Sequence, residues 1–358
     1  MVPRRGLRRG HAPHDGRAAL NPPPLGAGGE PRQEQYEERL GVALTIAAAL
    51  LWGTSWVATG FALRGFSPFA AAAWRGIGAA VLLALALRTG LLRTSGWRTG
   101  GEISSRGRLV RLIVLGLCGG SVFAIGLSLA VDVAGATMAA FIAGLYPLLA
   151  AAGSGLVTGE RPAPIVYGGV LAAFVGVLLM AGFDPAGLPL DGVVVALVAA
   201  VAFAAYLLLA RRWSVAWDLP APLVALSLYA MLALAATPLA LLAGGGSAPL
   251  DGLLGGLADP SLVAGGLLVP LVGLAWTIGP AGALAQSLAI AGVRRLPAHA
   301  SSPYLLLNPL AAAVLAALLL GERLALPQVA GAALILAGIG LATVIASPAR
   351  PAPAAEGR

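Results

Sequence analysis

The sequence has 358 residues, 58% of them hydrophobic and only 11% charged, whereas soluble domains carry about 25% charged residues. No soluble fold of this length could hide so much apolar surface, which excludes an ordinary globular enzyme and leaves the bilayer as the solvent. The net charge of +8 comes from 23 basic residues, all arginine, scattered between apolar runs; a nucleic-acid binder would gather them on one face with aromatic or polar readers.

Residues 1–39 are rich in Arg, Pro and Gly, include Arg4-Arg5 and Arg8-Arg9, and lack apolar periodicity, so they read as a disordered cytoplasmic tail. The first apolar run starts at Leu40 and is too long and too far from residue 1 for a cleaved signal segment. Reading apolar runs against their breakers gives spans near 40–63, 69–87, 109–130, 135–158, 164–183, 193–210, 221–243, 267–291, 298–320 and 326–346, each about the length that crosses a ~30 Å hydrocarbon core. The expected fold class is therefore all-α integral membrane, with about ten transmembrane helices. A second polar tail, 347–358, follows the last span.

Arginine marks the cytoplasmic side of membrane proteins. With the N-terminus inside, Arg88, Arg93, Arg98, Arg106, Arg108, Arg111, Arg211, Arg212, Arg294 and Arg295 all fall there, while Asp132, Asp184, Asp191, Asp251 and Asp259 face the opposite side with only Arg64 and Arg323. Both termini are expected in the cytoplasm of a bacterial inner (plasma) membrane.

An internal repeat runs through this pattern. Pro147 and Pro309 lie 162 positions apart, and the same offset aligns Gly159-Glu160-Arg161 with Gly321-Glu322-Arg323, Gly169 with Gly331 and Gly176 with Gly338. Upstream, an offset of 152 brings Pro68 onto Pro220. Each half then holds five helices, 40–183 and 190–346, and an odd number inverts the second half against the first, an arrangement found in secondary transporters.

Four segments carry a family resemblance: LLWGTSWV at 50–57, FSPFAAAAWRG at 66–76, YPLLAAAGSGLVTGERP at 146–162 and NPLAAAVLAALLLGERLALPQVAGAALILAGIGL at 308–341. Over about residues 40–346 the chain resembles the ten-helix EamA-type members of the drug/metabolite transporter superfamily. The stretch RRLPAHASSPYLLLNPL at 294–310 also looks somewhat like the branch that exports threonine, homoserine and related amino acids. The resemblance implies a secondary transporter that exports amino acids or related metabolites; the alternatives are a drug-like compound efflux transporter and a non-transporting channel or receptor. Two departures stand out: the Arg-rich connection at 88–108, and the lack of an arginine in helix 7 to match Arg75.

Arg75 lies about two turns inside the second span, where a charge costs about 2.5–3.5 kcal/mol or more unless it meets a cavity or a partner. A carboxylate on the substrate would meet it; snorkelling to the surface is the bland alternative. Pro147 and Pro309 each remove a helix hydrogen bond, and the polar Tyr146 and Asn308 precede them at equivalent repeat positions. Glycines 116, 119 and 120 in the third span and Gly279, Pro280 and Gly282 in the eighth mark paired interruptions, which point to a binding region or to close helix packing. Gln286, one turn beyond Gly282, must hydrogen-bond something. Trp52, Ser55 and Trp56 lie too deep for the interfacial aromatic belt, and Tyr304 and His299 start the ninth span. The expected substrate-binding set is Trp52, Ser55, Arg75, Tyr146, Gln286, Tyr304 and Asn308. The Gly-Glu-Arg triplets read as helix punctuation, their charges meeting water.

Enzymatic chemistry finds no carrier in this sequence. The single Cys118 has no partner for a disulfide or thiolate site, the three histidines are His11, His14 and the isolated His299, and no P-loop is present. No catalytic residue, metal or cofactor is expected; the expected partners are a small-molecule substrate and the lipid bilayer, with no nucleic acid.

Overall fold

Runs rich in alanine and leucine favour helix at every position, and helix is the only regular structure among the described residues. The computed structural model describes residues 31–92, 105–157, 164–181, 190–217, 221–243, 249–254, 266–293, 295, 304–305 and 307–345. Helix α1 spans Pro31–Ala62 and α2 spans Pro68–Arg88. Helix α3 runs from Ser105–Leu115 through a π-helical segment, Gly116–Val122, into Phe123–Ala134. Helix α4 has two pieces, Ala136–Ala143 and Tyr146–Val157. Then come α5, Pro164–Ala181, α6, Leu190–Trp217, and α7, Ala221–Ala243. After the short helix Pro249–Leu254, α8 repeats the device of α3: Leu268–Ile278, a π segment Gly279–Leu284, and Ala285–Val293. Helix α9 covers Leu307–Leu315 and a π turn Ala316–Leu320, and α10 covers Leu326–Ile345.

Six of these helices are long and apolar enough to cross a membrane: Gln35–Ala62, Pro68–Arg88, Arg106–Ala134, Leu190–Ala210, Pro222–Ala243 and Leu268–Gly292. Four shorter apolar helices, Ala136–Ala150, Pro164–Leu179, Leu307–Leu320 and Leu326–Gly340, fall where the sequence places spans four, five, nine and ten. The outer surface matches a lipid solvent. Leu171, Phe174 and Leu178 on α5, and Val194, Val198 and Val201 on α6, form exposed apolar stripes at three- and four-residue spacing, which a water-facing helix would replace with polar groups.

Local chemistry sets the boundaries. Ser67 caps α2, its hydroxyl accepting from the Ala70 N–H at 3.2 Å, and Pro68 supplies the first helical turn. Gly135, at φ +78°, turns the chain between α3 and α4. Helix α1 starts at Pro31, inside the stretch expected to be a mobile tail. Gln33, Gln35, Glu37, Glu38 and Arg39 are good helix formers, and Pro suits a helix N-terminus. Glu37 also reaches across to Arg295, Oε2 to Nε 2.8 Å. The remainder of the tail, residues 1–30, and the tail 347–358 lie outside the described residues, as does His299.

Small residues bring the helices together, as packing in lipid requires. A Cβ on Gly176 of α5 would sit 2.6 Å from the Gly331 carbonyl of α10, and a Cβ on Gly338 of α10 would sit 2.6 Å from the Gly169 carbonyl of α5. The two glycine pairs of the repeat thus face one another across a single α5–α10 contact. Between α2 and α7, a Cβ on Gly76 would be 2.5 Å from the Ala233 nitrogen.

Candidate functional site

The π segments of α3 and α8 occupy matching places in the two repeats, with Gly120 and Gly282 separated by the 162-residue offset. A π bulge inserts a residue into the helical ladder and re-aims the side chains beyond it. Helix α4 breaks nearby for a different reason: Pro147 has no N–H to give. Gly144 closes the first piece on the Ala140 carbonyl at 2.9 Å, and the ladder resumes from Leu149 to Leu145 at 3.0 Å, with Tyr146 at the bend. In α9, Pro309 directly follows Asn308 within Leu307–Leu315.

These interruptions surround one cavity of about 50 Å³, room for a few waters at about 10–15 Å³ each. Its wall includes Trp52, Ser55 and Trp56 from α1, Arg75 from α2, Gly119, Gly120 and Phe123 from α3, and Tyr146 from α4. From the other half come Phe203 of α6, Tyr229 of α7, Gln286 of α8 and Asn308 of α9. The lining is shared between helices α1–α4 and α6–α9, while α5 and α10 contribute nothing to it. Six of the seven residues expected to bind substrate therefore meet in one place. Tyr304 does not: it is half-buried and absent from the wall.

The polar groups are sparse and paired across the repeats. The Trp56 indole Nε1–H donates to Asn308 Oδ1 at 2.9 Å, fully buried. The Arg75 guanidinium lies beside the Tyr229 hydroxyl, and Gln286 lies beside the Tyr206 hydroxyl. A Cβ on Gly282 would collide with the Thr277 carbonyl oxygen, while the Tyr229 hydroxyl would stand in ordinary contact at 3.5 Å. Opposite these, Phe203 stacks against Phe123 at 4.4 Å and against the edge of Tyr146 at 4.8 Å. The result is a pocket with one polar wall and one aromatic wall.

Arg75 dominates the electrostatics. It is 7% exposed, and its Nε and Nη1 have no hydrogen-bond partner. Among the described residues no Asp or Glu lines the cavity, so the cation has a neutral phenol as its neighbour and no counter-ion. Ser55 Oγ, 2% exposed, is also without a partner. Native structures leave few such groups unsatisfied; those of Arg75 and Ser55 share this cavity, whereas the Ser121 and Thr137 hydroxyls, also without a partner, belong to residues outside its wall. Tyr229, Phe203 and Phe123 also line the cavity and are not legible in the sequence, because a single aromatic in an apolar run has no local signature separating a wall from ordinary packing.

Glu322 corrects the punctuation reading of its triplet. Gly321 does end α9 in the left-handed conformation, φ +72°. The carboxylate beside it is half-buried and bonds to the first turn of α4, instead of standing in water. Glu160 lies outside the described residues.

Apolar helices of membrane-crossing length, arranged in two repeats that share the wall of a buried charged cavity, define a multi-pass membrane protein. The chain belongs to the EamA-like transporter family, which it matches over residues 39–182 and 190–344, and so to the drug/metabolite transporter superfamily. It is a membrane transporter by that membership. A solved structure described only as "Crystal structure of protein" shares its fold at 22% identity, with a TM-score of 0.55, over 86% of this chain and 97% of the other. No curated protein matches the chain.

Proposed function

We propose that the chain is a secondary transporter of small carboxylate-bearing metabolites, exporting amino acids or related compounds across a bacterial inner membrane. In this reading it has ten spans as two inverted five-helix repeats and both termini in the cytoplasm. The observation that carries it is Arg75, a buried guanidinium with two unpartnered nitrogens in a cavity shared by the two repeats. A substrate carboxylate would neutralise it by a charge-assisted hydrogen bond, and Trp52, Trp56, Tyr146 and Phe203 would cover an apolar body. Ser55, Gln286 and Asn308 would fix its orientation. The aromatic wall alone would suit a neutral drug-like compound, but such a compound would leave Arg75 without an anion.

Flux measurements on purified protein in liposomes test this. Carboxylates should be carried, and their neutral methyl esters should be carried at least about tenfold more slowly, the equivalent of about 1.4 kcal/mol of lost interaction. Equal transport of acid, ester and cationic analogues would defeat the anion site, and ion conductance without saturable flux would favour the channel alternative.

The orientation has its own test. On a Cys118→Ala background, cysteines at Leu91 and Leu250, both exposed, should react differently with an impermeant thiol reagent in intact cells. Position 250 should label and position 91 should not, as the arginine distribution requires. The opposite pattern would invert the topology.

A further inference from the structure

The Gly135 turn of the first repeat and the α9–α10 connection of the second meet at one end of the bundle. There the Glu322 carboxylate accepts two backbone hydrogen bonds at once, from Ala136 N–H to Oε1 at 2.7 Å and from Thr137 N–H to Oε2 at 3.0 Å. Those N–H groups begin α4 and have no partner within the helix, and an anion there also meets the positive end of the helix dipole. The carboxylate is held in place from behind: Gly321 takes φ +72° and the Glu322 N–H returns to the Ala316 carbonyl at 3.3 Å. Gly135 is fitted to it, since a Cβ there would stand 3.1 Å from Glu322 Oε1 on a backbone already at φ +78°.

The same end of the molecule is closely packed. All of Ala136–Ala143 is buried, Leu320 packs close to Gly60 of α1, and Gly192 of α6 lies against Ala134. Carriers of this kind open one end by moving one repeat against the other. Any such motion here must pull the start of α4 away from the α9–α10 connection and break both bonds. We infer that Glu322 is a latch between the repeats that holds this end of the cavity closed, and that its release is a step in opening it. The inference rests on the carrier reading for its purpose, while the contact itself is independent of any substrate.

The test is accessibility. Ala124, which lines the cavity and is 5% exposed, is replaced by cysteine in the Cys118→Ala protein. Its reaction with an impermeant maleimide is followed in right-side-out and inside-out vesicles. Glu322→Ala should raise the labelling rate on the order of tenfold, as removing a contact made in only one of two states shifts the population. That rise should come only from the face on which Leu250→Cys labels. Glu322→Gln, which keeps one acceptor oxygen but turns an amide N–H toward the other donor, should lie between wild type and alanine. Ala173→Cys on α5, 1% exposed and outside the cavity, is the control for general loosening. Unchanged labelling at position 124, an equal rise at 124 and 173, or a rise from the opposite face would each overturn the latch. Labelling needs no substrate, so a failure of the flux assays with a positive labelling result would count against the transport reading and leave the latch standing.

Discussion

Arg75→Ala is expected to reduce carboxylate transport by about 30-fold or more, because truncating one partner of a buried, hydrogen-bonded charge pair costs about 2–5 kcal/mol. Arg75→Glu should do the same by repelling what arginine attracts, and Arg75→Lys should keep a fraction, having the charge without the planar fork. A purely structural arginine would show its loss in stability first. Here the reverse is expected: Arg75 is buried with Nε and Nη1 unpartnered, so its removal relieves a desolvation penalty. The melting temperature of the detergent-solubilised Arg75→Ala protein should therefore not fall. Wild-type flux by a well-expressed Arg75→Ala protein would sink the anion-binding role.

Breakers and lone polar residues in apolar runs make much of the cavity legible in the sequence. Gly116–Gly120 and Gly279–Gly282 stood out because glycine and proline are poor residues for a membrane helix interior, and the structure resolves both as π segments. Arg75, Gln286 and Asn308 stood out because a polar side chain in hydrocarbon needs a partner. Phe203 and Tyr229 carry no such signal; their place in the wall depends on how α6 and α7 rotate, which is decided by contacts with the other repeat. Glu322 was misread for a related reason. Its partners are the backbone N–H groups of Ala136 and Thr137, and backbone donors leave no trace in a pattern of side chains.

The α1 extension shows the converse limit. Hydropathy marks where lipid begins and says little about where a helix begins, so the run of good helix formers ahead of Leu40 reads as tail although α1 starts at Pro31. Tyr304, expected in the site as a polar aromatic at the start of the ninth span, is half-buried and stands outside the cavity wall.

Gly120→Ala is expected to be among the most damaging single-methyl changes in the chain. Gly120 sits in the π segment of α3, and an added Cβ would collide with the Leu228 carbonyl oxygen and press on the Leu228 Cα at 2.9 Å. These are backbone atoms of α7, which cannot swing aside as a side-chain tip can, so α3 and α7 would have to separate. Overpacking of that kind costs about 1–3 kcal/mol, and sometimes more. Separation would also disturb function, because Tyr229, the neighbour of Arg75, follows Leu228 directly. Gly168 on α5 is the matched control. It has no heavy atom within 4 Å of its hypothetical Cβ, so Gly168→Ala should be neutral or slightly stabilising, as alanine is the better helix former by about 0.8–1.0 kcal/mol. Thermal unfolding in detergent should show a drop of several degrees for Gly120→Ala and none for Gly168→Ala, with transport lost only in the first. Equal melting temperatures for the two would mean that the close approach of α3 to α7 does not hold the cavity together.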